Sequence, residues 1–286
     1  MTDSPRPDIV YRPMTAADAG AAHALSVALK WPHREADWAM LQRLSEGVVA
    51  EHDGRLIGSA FACHQGDFST IGLVIVSDDH QGQGIGRQLM ERALACAAPR
   101  TAILNATLAG APLYAKMGFR DFGQIEQRQG QTPAAIKPPP SPAGDPCRAL
   151  GDSDAAQVRA LANAGSGLRR DAVIDDQLAV ASHAIGIERA GQLRGFALLR
   201  PFGRGLCLGP VIAEDLDQAT HLIASLLGQV PEAFVRIDVP VGGGLGDWLQ
   251  ALGLNRVDVV TQMSLGAVPT ASQGVRQFAL VTQAIG

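Results

Sequence analysis

The sequence has few residues of the kinds that mark several large classes of protein. Of its 286 residues, 5% are aromatic, and 24 Lys and Arg residues are balanced by 28 Asp and Glu residues. Nucleic-acid-binding surfaces need clustered cations or stacked aromatic rings, so this composition predicts no nucleic acid partner. No run of about 18 apolar residues is present, so we expect no membrane-spanning helix and no membrane partner.

Cysteine and metal-ligating patterns are also scarce. The four cysteines, Cys63, Cys96, Cys147 and Cys207, lie far apart and form no CxxC pair. This spacing predicts reduced thiols rather than disulfides or a zinc site. The seven histidines have no HxxH or HExxH spacing, so no metal is expected. The first residues, Met1–Pro7, lack the apolar core of a signal peptide, and we therefore expect a cytoplasmic protein.

The remaining composition is that of a globular protein with more than one domain. Hydrophobic residues make up 47% of the chain and charged residues 18%, and the length suits two domains of ordinary size. A segment rich in proline and glycine, centred on Pro138-Pro139-Pro140, is typical of a semi-rigid linker. The sequence therefore predicts a first domain over residues 1–130, a linker over 131–146 and a second domain over 147–286.

The two flanks of this linker repeat each other. Matching residues recur in the same order at offsets of 135 to 137 positions. The matches pair Arg12, Asp18 and Leu25 with Arg148, Asp154 and Leu161; Gly54, Leu56, Gly58 and Ala60 with Gly191, Leu193, Gly195 and Ala197; and Leu113–Phe119 with Trp248–Leu254. This pattern indicates an internal duplication.

Both halves also carry a similar order of predicted strands and helices. In the first half, we predict strands at Ile9–Arg12, Gly47–Glu51, Leu56–Cys63, Ile71–Val76, Ala102–Ala106 and after Phe119, with helices at Thr15–Leu29, Glu35–Leu44 and Gly84–Ala97 and around Tyr114. In the second half, we predict helices near Asp154–Asn163, at Leu216–Leu227 and near Trp248, a hairpin at Ala190-Gly191, and strands at Leu206–Ile212, Phe234–Val239 and Val257–Met263. This order implies an α/β fold with a mixed sheet.

A glycine-rich loop, Gln81-Gly82-Gln83-Gly84-Ile85-Gly86-Arg87, separates an apolar strand from a long helix. The first N–H groups of a helix lack partners and lie at its electropositive end, so the loop suits a diphosphate. Arg87 falls where GxGxxG needs its third glycine, and no GK[ST] follows. The pattern that fits is QxxGxG. A glycine turn that only packs the helix against the strand is the alternative.

The loop and the segments after it resemble the GNAT superfamily of acetyl-CoA-dependent N-acetyltransferases. The resemblance rests on the loop, on Asn105-Ala106-Thr107 and on Pro112-Leu113-Tyr114-x-x-Met117-Gly118-Phe119, and it covers residues 8–128. The whole chain is similar to the tandem subgroup, in which a degenerate GNAT-like domain follows the first. Trp31-Pro32, Asp37-Trp38 and Arg256–Gly266 are similar to that subgroup too. The resemblance implies two tandem domains, each with a mostly antiparallel mixed sheet flanked by helices.

The resemblance also implies roles for the matching residues. The backbone of Leu73, Val74, Ile75 and Val76 would pair with the pantetheine arm of acetyl-CoA. Residues Gln81, Gly82, Gln83, Gly84, Ile85, Gly86 and Arg87 would wrap its pyrophosphate. Asn105 would bind the pantetheine amides, and Tyr114 would act as the general acid for the departing thiolate. The alternative for Tyr114 is a ring that packs against coenzyme A or the core.

The acceptor side matches no short motif. Trp31 and His33 lie where the first two helices of such a domain border the acceptor cleft, so they are candidate substrate contacts. His64 and Asp67 are further candidates for the substrate side. The strand Ile71–Val76 carries no acid, so the candidate bases are His64, Asp67, Glu51 and Asp37, unless water relays the proton.

The second half lacks the features that carry the chemistry. The segment at the position of the glycine loop has no glycine and contains Glu214, Asp215 and Asp217, which would repel a phosphate. Leu249 stands at the position of Tyr114. We therefore expect one active half, which transfers an acetyl group to a primary amine of a small metabolite. Acetylation of a protein or peptide amine and non-catalytic sensing of acyl-CoA remain alternatives, and the sequence does not indicate the oligomeric state.

Overall fold

The computed structural model describes residues 9–141 and 144–286. The first half begins with β1 (Val10–Pro13), a 3-10 turn (Ala16–Asp18), α1 (Ala19–Ala28) and α2 (Glu35–Leu44). It continues with β2 (Glu46–His52), β3 (Arg55–Gln65), β4 (Phe68–Val76), α3 (Ile85–Ala97), β5 (Thr101–Ala106), α4 (Ala111–Lys116) and β6 (Arg120–Gln131).

The second half runs through the same order of strands and α-helices. It consists of β7 (Cys147–Ala149), α5 (Ala155–Ser166), α6 (Asp171–Val180), β8 (His183–Arg189), β9 (Gln192–Phe202), β10 (Gly205–Ala213), α7 (Leu216–Leu227), β11 (Phe234–Pro240), α8 (Gly246–Ala251) and β12 (Asn255–Ser264). A further strand, β13 (Arg276–Ala279), has no counterpart in the described part of the first half. Of these elements, β7, α6 and β13 were not predicted from the sequence.

The duplication is visible in matching side-chain contacts. Arg12 donates hydrogen bonds to Asp18 at 2.7 Å and to Glu51 at 2.6 Å. Arg148 donates in the same way to Asp154 at 2.8 Å and to Glu188 at 2.7 Å. In each half, the arginine joins the first strand to the turn before the first helix, which explains why these residues recur at a constant offset.

The strands form one continuous sheet instead of two separate ones. Its order is β1-β2-β3-β4-β5-β12-β6-β11-β10-β9-β8-β7, and β13 pairs with β10. The halves exchange their equivalent strands β6 and β12, because β12 lies beside β5 and β6 lies beside β11. All neighbours except β4–β5 and β10–β11 are antiparallel, so the sheet is mixed but mostly antiparallel, as predicted.

Helices cover the sheet and bury three main apolar clusters. One cluster packs α3 against the first half of the sheet through Leu89 and Met90, and another packs α7 through Leu222 and Ile223. The third lies between the halves and joins Trp38 and Leu41 of α2 to Val281. Burial of such side chains contributes roughly 1.5–3 kcal/mol each, so the contact between the halves is part of the core.

The predicted linker contacts the second half where the structure describes it. Thr132 donates its hydroxyl hydrogen to the carbonyl oxygen of Val230 at 2.8 Å, and a ring nitrogen of His221 lies 2.8 Å from the carbonyl oxygen of Pro139. Residues 142–143 of this segment lie outside the described residues, as do residues 1–8 of the predicted first domain, which include the polar start of the chain.

Candidate active site

Strands β4 and β5 separate in the middle of the first half. They are parallel and paired from Phe68–Thr101 to Ile71–Leu104, where the pairing ends. Beyond that point β4 contains a bulge, in which Leu73 adopts a φ of 49°. The buried hydroxyl of Ser59 on β3 donates to the Leu73 carbonyl oxygen at 2.9 Å and holds the bulge in place. The edge of β4 from Leu73 to Val76 is therefore open towards β5.

The loop after β4 supplies unpaired backbone donors. Gly82 and Gly84 have φ angles of 77° and 83°, a conformation that glycine adopts without steric penalty. Gly84 is the N-cap of α3. Within residues 9–141 and 144–286, no hydrogen bond uses the N–H groups of Gly82 to Arg87. These groups lie at the electropositive end of a 13-residue helix, so they form a cradle for an anion.

Gly86 keeps the start of α3 free of side chains. A Cβ atom at this position would lie 3.7 Å from both Leu113 and Val76, which is ordinary contact. Packing therefore does not require a glycine here. Arg87 is 61% exposed and pairs with Glu91 at 2.9 Å, so its side chain is turned along the helix in this structure.

Tyr114 on α4 is almost completely buried, and its ring packs near Phe119 with the ring centroids 6.1 Å apart. Among the described residues its hydroxyl has no hydrogen-bond partner, and the residue lines the same cleft as the glycine loop. Burial raises the pKa of Tyr114 to about 12. The phenol is therefore protonated at neutral pH and can act as an acid.

Asn105 lies at the end of β5, where the strands separate. Its Nδ2 donates to the carbonyl oxygen of Gln283 at 2.8 Å, whereas its Oδ1 is buried and has no partner in the described part of the chain. A buried acceptor without a donor is unfavourable by about 1–3 kcal/mol. Asn105 thus has one atom bound to the second half and one atom available to a ligand.

A cleft of about 620 Å³ brings most of the sequence-predicted residues together. It is lined by Trp31, Leu73, Val74, Ile75, Val76, Gln81, Gly82, Gly84, Ile85, Gly86, Arg87, Asn105 and Tyr114, among others. Gln83 is exposed and does not line it.

His64 and Asp67 are not part of this cleft. They flank the β3–β4 turn, at the opposite end of β4 from the bulge. The His64 ring nitrogens lie 3.1 Å from Ser69 Oγ and 3.1 Å from a Glu46 carboxylate oxygen. The structure thus places His64 and Asp67, the predicted acceptor contacts, apart from this cleft, because the hairpin directs both residues away from the open edge of β4.

A second cavity adjoins the cleft and lies between the two halves. The two cavities share Trp31, Gly72, Leu73, Asn105 and Thr107. The second cavity also contains His33 and, from the second half, Phe202, Arg236, Asp258 and Thr282–Ala284. A Cβ atom on Gly72 would collide with the Ala284 carbonyl, so glycine is required where the second half meets the bulge. We call this cavity the acceptor pocket.

The second half is expected from the sequence to shape the acceptor pocket or complete the core, but the residues that line the pocket could not be identified from the sequence. No short motif surrounds Phe202, Arg236 or Asp258. The glycine at position 72, inside an otherwise apolar strand, was the one available signal, since an isolated strand glycine indicates a bulge or a close approach of another backbone.

Comparison with known proteins decides the family. Two family models, each described as an acetyltransferase (GNAT) domain, match residues 43–121 and 158–279, and together they cover more than half of the chain. The chain is a tandem GNAT protein. Acetyl transfer is the general chemistry of this family.

Individual relatives agree with this assignment. The chain is 27% identical over 224 residues to the uncharacterized N-acetyltransferase YitH of Bacillus subtilis, covering 77% of this chain and 78% of the relative. A putative acetyltransferase from Pyrococcus horikoshii superposes with a TM-score of 0.76 at 18% identity over 100% and 99% of the two chains. A tandem GNAT protein from the clavulanic acid biosynthesis pathway gives 0.66 at 18% identity over 91% and 99%. These two likenesses show the fold.

In this tandem GNAT protein, the second half has no free cradle at the start of α7. The carboxylate of Asp215 accepts a hydrogen bond from the Gln218 backbone N–H at 2.8 Å. The Glu214 N–H donates to the Gln218 side-chain oxygen at 3.1 Å. The protein's own side chains thus occupy the positions that an anion would need, and they add negative charge.

The gap between strands is also filled in the second half. Strands β10 and β11 pair only from Leu206 to Leu208 on β10. Beyond that point, β13 pairs antiparallel with β10 from Val211 to Ala213. Leu249, at the position of Tyr114, is fully buried and carries no polar group. Backbone from the same chain therefore fills the space that stays open in the first half.

Two of the three carboxylates considered as bases, Asp37 and Glu51, are held in ion pairs. Burial of Asp37 favours its neutral form, but hydrogen bonds from Arg34 and from the Gly203 N–H outweigh this effect and lower the pKa of Asp37. Hydrogen bonds from Arg12 lower the pKa of Glu51. Neither carboxylate lines the cleft or the acceptor pocket.

His33 lies in the acceptor pocket as a neutral ring. Burial and the positive charge of Arg236 lower the pKa of His33 to about 4. Its Nδ1 is buried and has no hydrogen-bond partner among the described residues. The ring contacts Trp31, Trp38 and Phe202 edge-to-face, with centroid distances of 5.8–6.3 Å.

Other sites are not evident in the part of the chain that the structure describes. None of its helices combines the length and apolar character needed to cross a bilayer. These residues also contain no group of three or more His, Cys, Asp or Glu side chains placed to hold a metal ion. The four cysteines are unpaired, and burial raises the pKa of Cys63 and Cys207.

Proposed function

We propose that this tandem GNAT protein transfers the acetyl group of acetyl-CoA to a primary amine of a small metabolite, in the cleft of its first half. One observation carries the proposal. The unpaired N–H groups from Gly82 to Arg87 lie at the end of a separated strand, in the same cleft as Tyr114. An anion cradle, an open strand edge and a proton donor are the parts that a thioester of coenzyme A requires.

The residues present fit coenzyme A. Its pyrophosphate would accept hydrogen bonds from the loop N–H groups, which have no competing partners among residues 9–141 and 144–286. Its pantetheine amides would pair with the open edge of β4 from Leu73 to Val76. The buried, unpaired Oδ1 of Asn105 would accept a hydrogen bond from one of these amides, which relieves an otherwise unfavourable burial.

The chemistry is direct transfer. The acceptor amine attacks the thioester carbonyl carbon, and a backbone N–H at the β4 bulge, near Val74, stabilises the negative charge on the oxygen. One such donor is worth about 3 kcal/mol in the transition state. The carbon–sulfur bond then breaks, and Tyr114 donates its proton to the departing thiolate. The phenol of Tyr114 carries this proton at neutral pH.

Water is the proposed acceptor of the ammonium proton. Asp37 and Glu51 are bound to arginines and face neither cavity, and His33 is a weak base with a pKa of about 4. A chain of water molecules from the acceptor pocket to solvent needs none of these groups. The enclosure of the pocket by both halves favours a small acceptor over a peptide.

Release of coenzyme A thiol from acetyl-CoA, measured with a panel of small primary amines and with a lysine-containing peptide, tests the proposal. We expect turnover with small amines and little with the peptide. Binding of acetyl-CoA without turnover on any amine would favour the acyl-CoA sensor instead. Preference for the peptide would contradict the acceptor class.

Tyr114→Phe tests the proposed acid, and the chain offers a matched control. It contains two tyrosines, and the other, Tyr11, packs against Arg92 outside the cleft. We expect Tyr114→Phe to lower kcat by about 100-fold with little change in acetyl-CoA affinity, and Tyr11→Phe to leave kcat unchanged. Undiminished turnover in Tyr114→Phe from pH 6 to pH 10 would remove Tyr114 as the acid.

A further inference from the structure

Two guanidinium groups lie close together at the wall of the acceptor pocket that comes from the second half. Two guanidinium groups flank the ring of Phe202, with Arg200 at 4.8 Å and Arg236 at 5.7 Å from the ring centroid. The carboxylate of Asp238 is 1% exposed and binds Arg236 at 2.8 Å. Arg200 is 1% exposed and has no ion-pair partner among the described residues. Asp238 therefore pairs with Arg236, whereas the buried carboxylate that acts on Arg200 is that of Asp37.

Arg236 is held in one orientation with one donor group left free. Its Nε and Nη2 donate to the Asp238 carboxylate at 2.8–3.1 Å. Its Nη1 makes no hydrogen bond within the described part of the chain and is not sealed from solvent. Arg236 lines the acceptor pocket, whereas Arg200 lies behind it. A fixed guanidinium with a free N–H group suits a planar anion such as a carboxylate.

Two neighbouring groups complete the charge pattern. His33 is neutral at pH 7, so it neither cancels nor adds to the charge of Arg236. Asp258 also lines the pocket, is exposed and forms no ion pair with Arg236. A pocket that presents unlike charges, unpaired with each other, suits a ligand that carries both an ammonium and a carboxylate.

We propose that Arg236 binds a carboxylate of the acceptor, so that the preferred acceptor of this protein is a primary amine that also carries a carboxylate, as an amino acid does. This inference rests on the proposed function and narrows its substrate class. The second half then supplies specificity to a reaction performed by the first half.

Matched acceptor pairs that differ by one carboxylate test this inference. Suitable pairs are lysine with cadaverine, phenylalanine with phenethylamine, histidine with histamine, and β-alanine with ethylamine. A charge-assisted hydrogen bond is worth about 1.5–3 kcal/mol, so we expect kcat/KM to favour the carboxylated member of at least one pair by about 10- to 100-fold. Equal or greater kcat/KM for every decarboxylated member would overturn the inference. So would a preference for phosphoethanolamine over β-alanine.

Variants identify the group responsible. In Arg236→Gln the preference should fall below about threefold, which is under 1 kcal/mol. Because Arg236→Gln leaves the buried Asp238 unpaired, the double variant Arg236→Gln/Asp238→Asn provides a neutral pair that can still hydrogen-bond. Arg256→Gln, an exposed arginine outside the pocket, is the control. A preference that survives in the double variant would refute the role of Arg236.

A binding measurement separates this inference from the proposed function. Calorimetry with the protein saturated with coenzyme A measures association of each carboxylated and decarboxylated ligand without any turnover. Binding that needs both the carboxylate and Arg236, with no turnover, would sustain the subsite and contradict the proposed reaction. Turnover without any carboxylate preference would sustain the reaction and contradict the subsite. If calorimetry detects no carboxylate-dependent binding and kcat/KM shows no preference for the carboxylated amine, the inference is overturned.

Discussion

Arg12 and Arg148 hold equivalent positions in the two halves, and each secures the turn before its first helix through a carboxylate. The hydrogen bonds from Arg148 lower the pKa of Asp154 to about 2. A carboxyl group whose pKa is lower in the folded state than in the unfolded state stabilises the folded state at pH values above its unfolded pKa. This stabilisation is lost as the pH falls through the folded pKa. The Asp154 contribution should therefore be complete above about pH 4 and lost near pH 2.

Replacing Asp154 tests this dependence. We expect Asp154→Asn to lower the free energy of unfolding by about 1 kcal/mol at pH 7, a modest value because Arg148 is 40% exposed and solvent screens the pair. The difference from the natural protein should shrink below pH 4 and vanish near pH 2 in urea denaturation. Asp152→Asn, at an exposed position of the same turn, serves as the control. A difference that stays constant from pH 7 to pH 2 would contradict the assignment.

For individual residues, the sequence was more informative about the cofactor side of the site than about the acceptor side. Gly82, Gly84 and Tyr114 belong to a local pattern, because one strand, one loop and one short helix place them. The acceptor pocket depends on Arg236 and Phe202, which reach the first half only through the arrangement of the whole sheet. His64 lies apart from the cleft because its position along β3 decides which end of the sheet it occupies.

Among the elements, the start of α3 has the clearest relation to function. Gly86 has space for a methyl group, and alanine is favoured over glycine within a helix by about 0.5–1 kcal/mol. We therefore expect Gly86→Ala to leave stability equal or slightly higher. Because Leu113 and Val76 beside it line the cleft, the new methyl group should obstruct acetyl-CoA and weaken its binding by about 1.4 kcal/mol, or tenfold.

Gly20→Ala is the matched control for Gly86→Ala. Gly20 lies in α1, also has space for a methyl group and does not line the cleft. Thermal denaturation should show the same small effect for both variants, whereas calorimetry should show weaker acetyl-CoA binding for Gly86→Ala alone. Equal affinity in the two variants would mean that the start of α3 does not contact the ligand.

Prediction of the elements succeeded where the pattern was local. The helices Glu35–Leu44 and Leu216–Leu227 have the predicted bounds, since their apolar residues recur at helical spacing. Helix α6 was missed, although the repeat offset of 136 maps Glu35–Leu44 onto Asp171–Val180. Strand β13 has no equivalent in the first half and lies in the gap beside β10, so the repeat carried no information about it.

For the whole molecule, the exchange of β6 and β12 joins the halves into one sheet. This exchange was not predictable from the sequence, because swapping two equivalent strands leaves the local pattern of each unchanged. Neither half can complete its sheet without a strand from the other. We therefore expect the two halves to unfold together.

Tryptophan fluorescence can follow each half separately. Trp31 and Trp38 lie in the first half and Trp248 in the second. In Trp248→Phe the remaining tryptophans report on the first half, and in Trp31→Phe/Trp38→Phe the remaining tryptophan reports on the second half. We expect the urea midpoint measured by fluorescence to equal the midpoint measured by circular dichroism in each variant. Two separate midpoints within either variant, one by fluorescence and one by circular dichroism, would show that the halves unfold independently.

The two halves differ in whether their cleft can hold coenzyme A, so the number of acetyl-CoA sites can be counted. Calorimetric titration of the full chain should give one site, and Gly86→Glu, which places a carboxylate in the first-half cradle as the second half does, should abolish it. Two sites, no site, or one site that persists in Gly86→Glu would contradict the assignment of acetyl-CoA to the loop from Gly82 to Arg87.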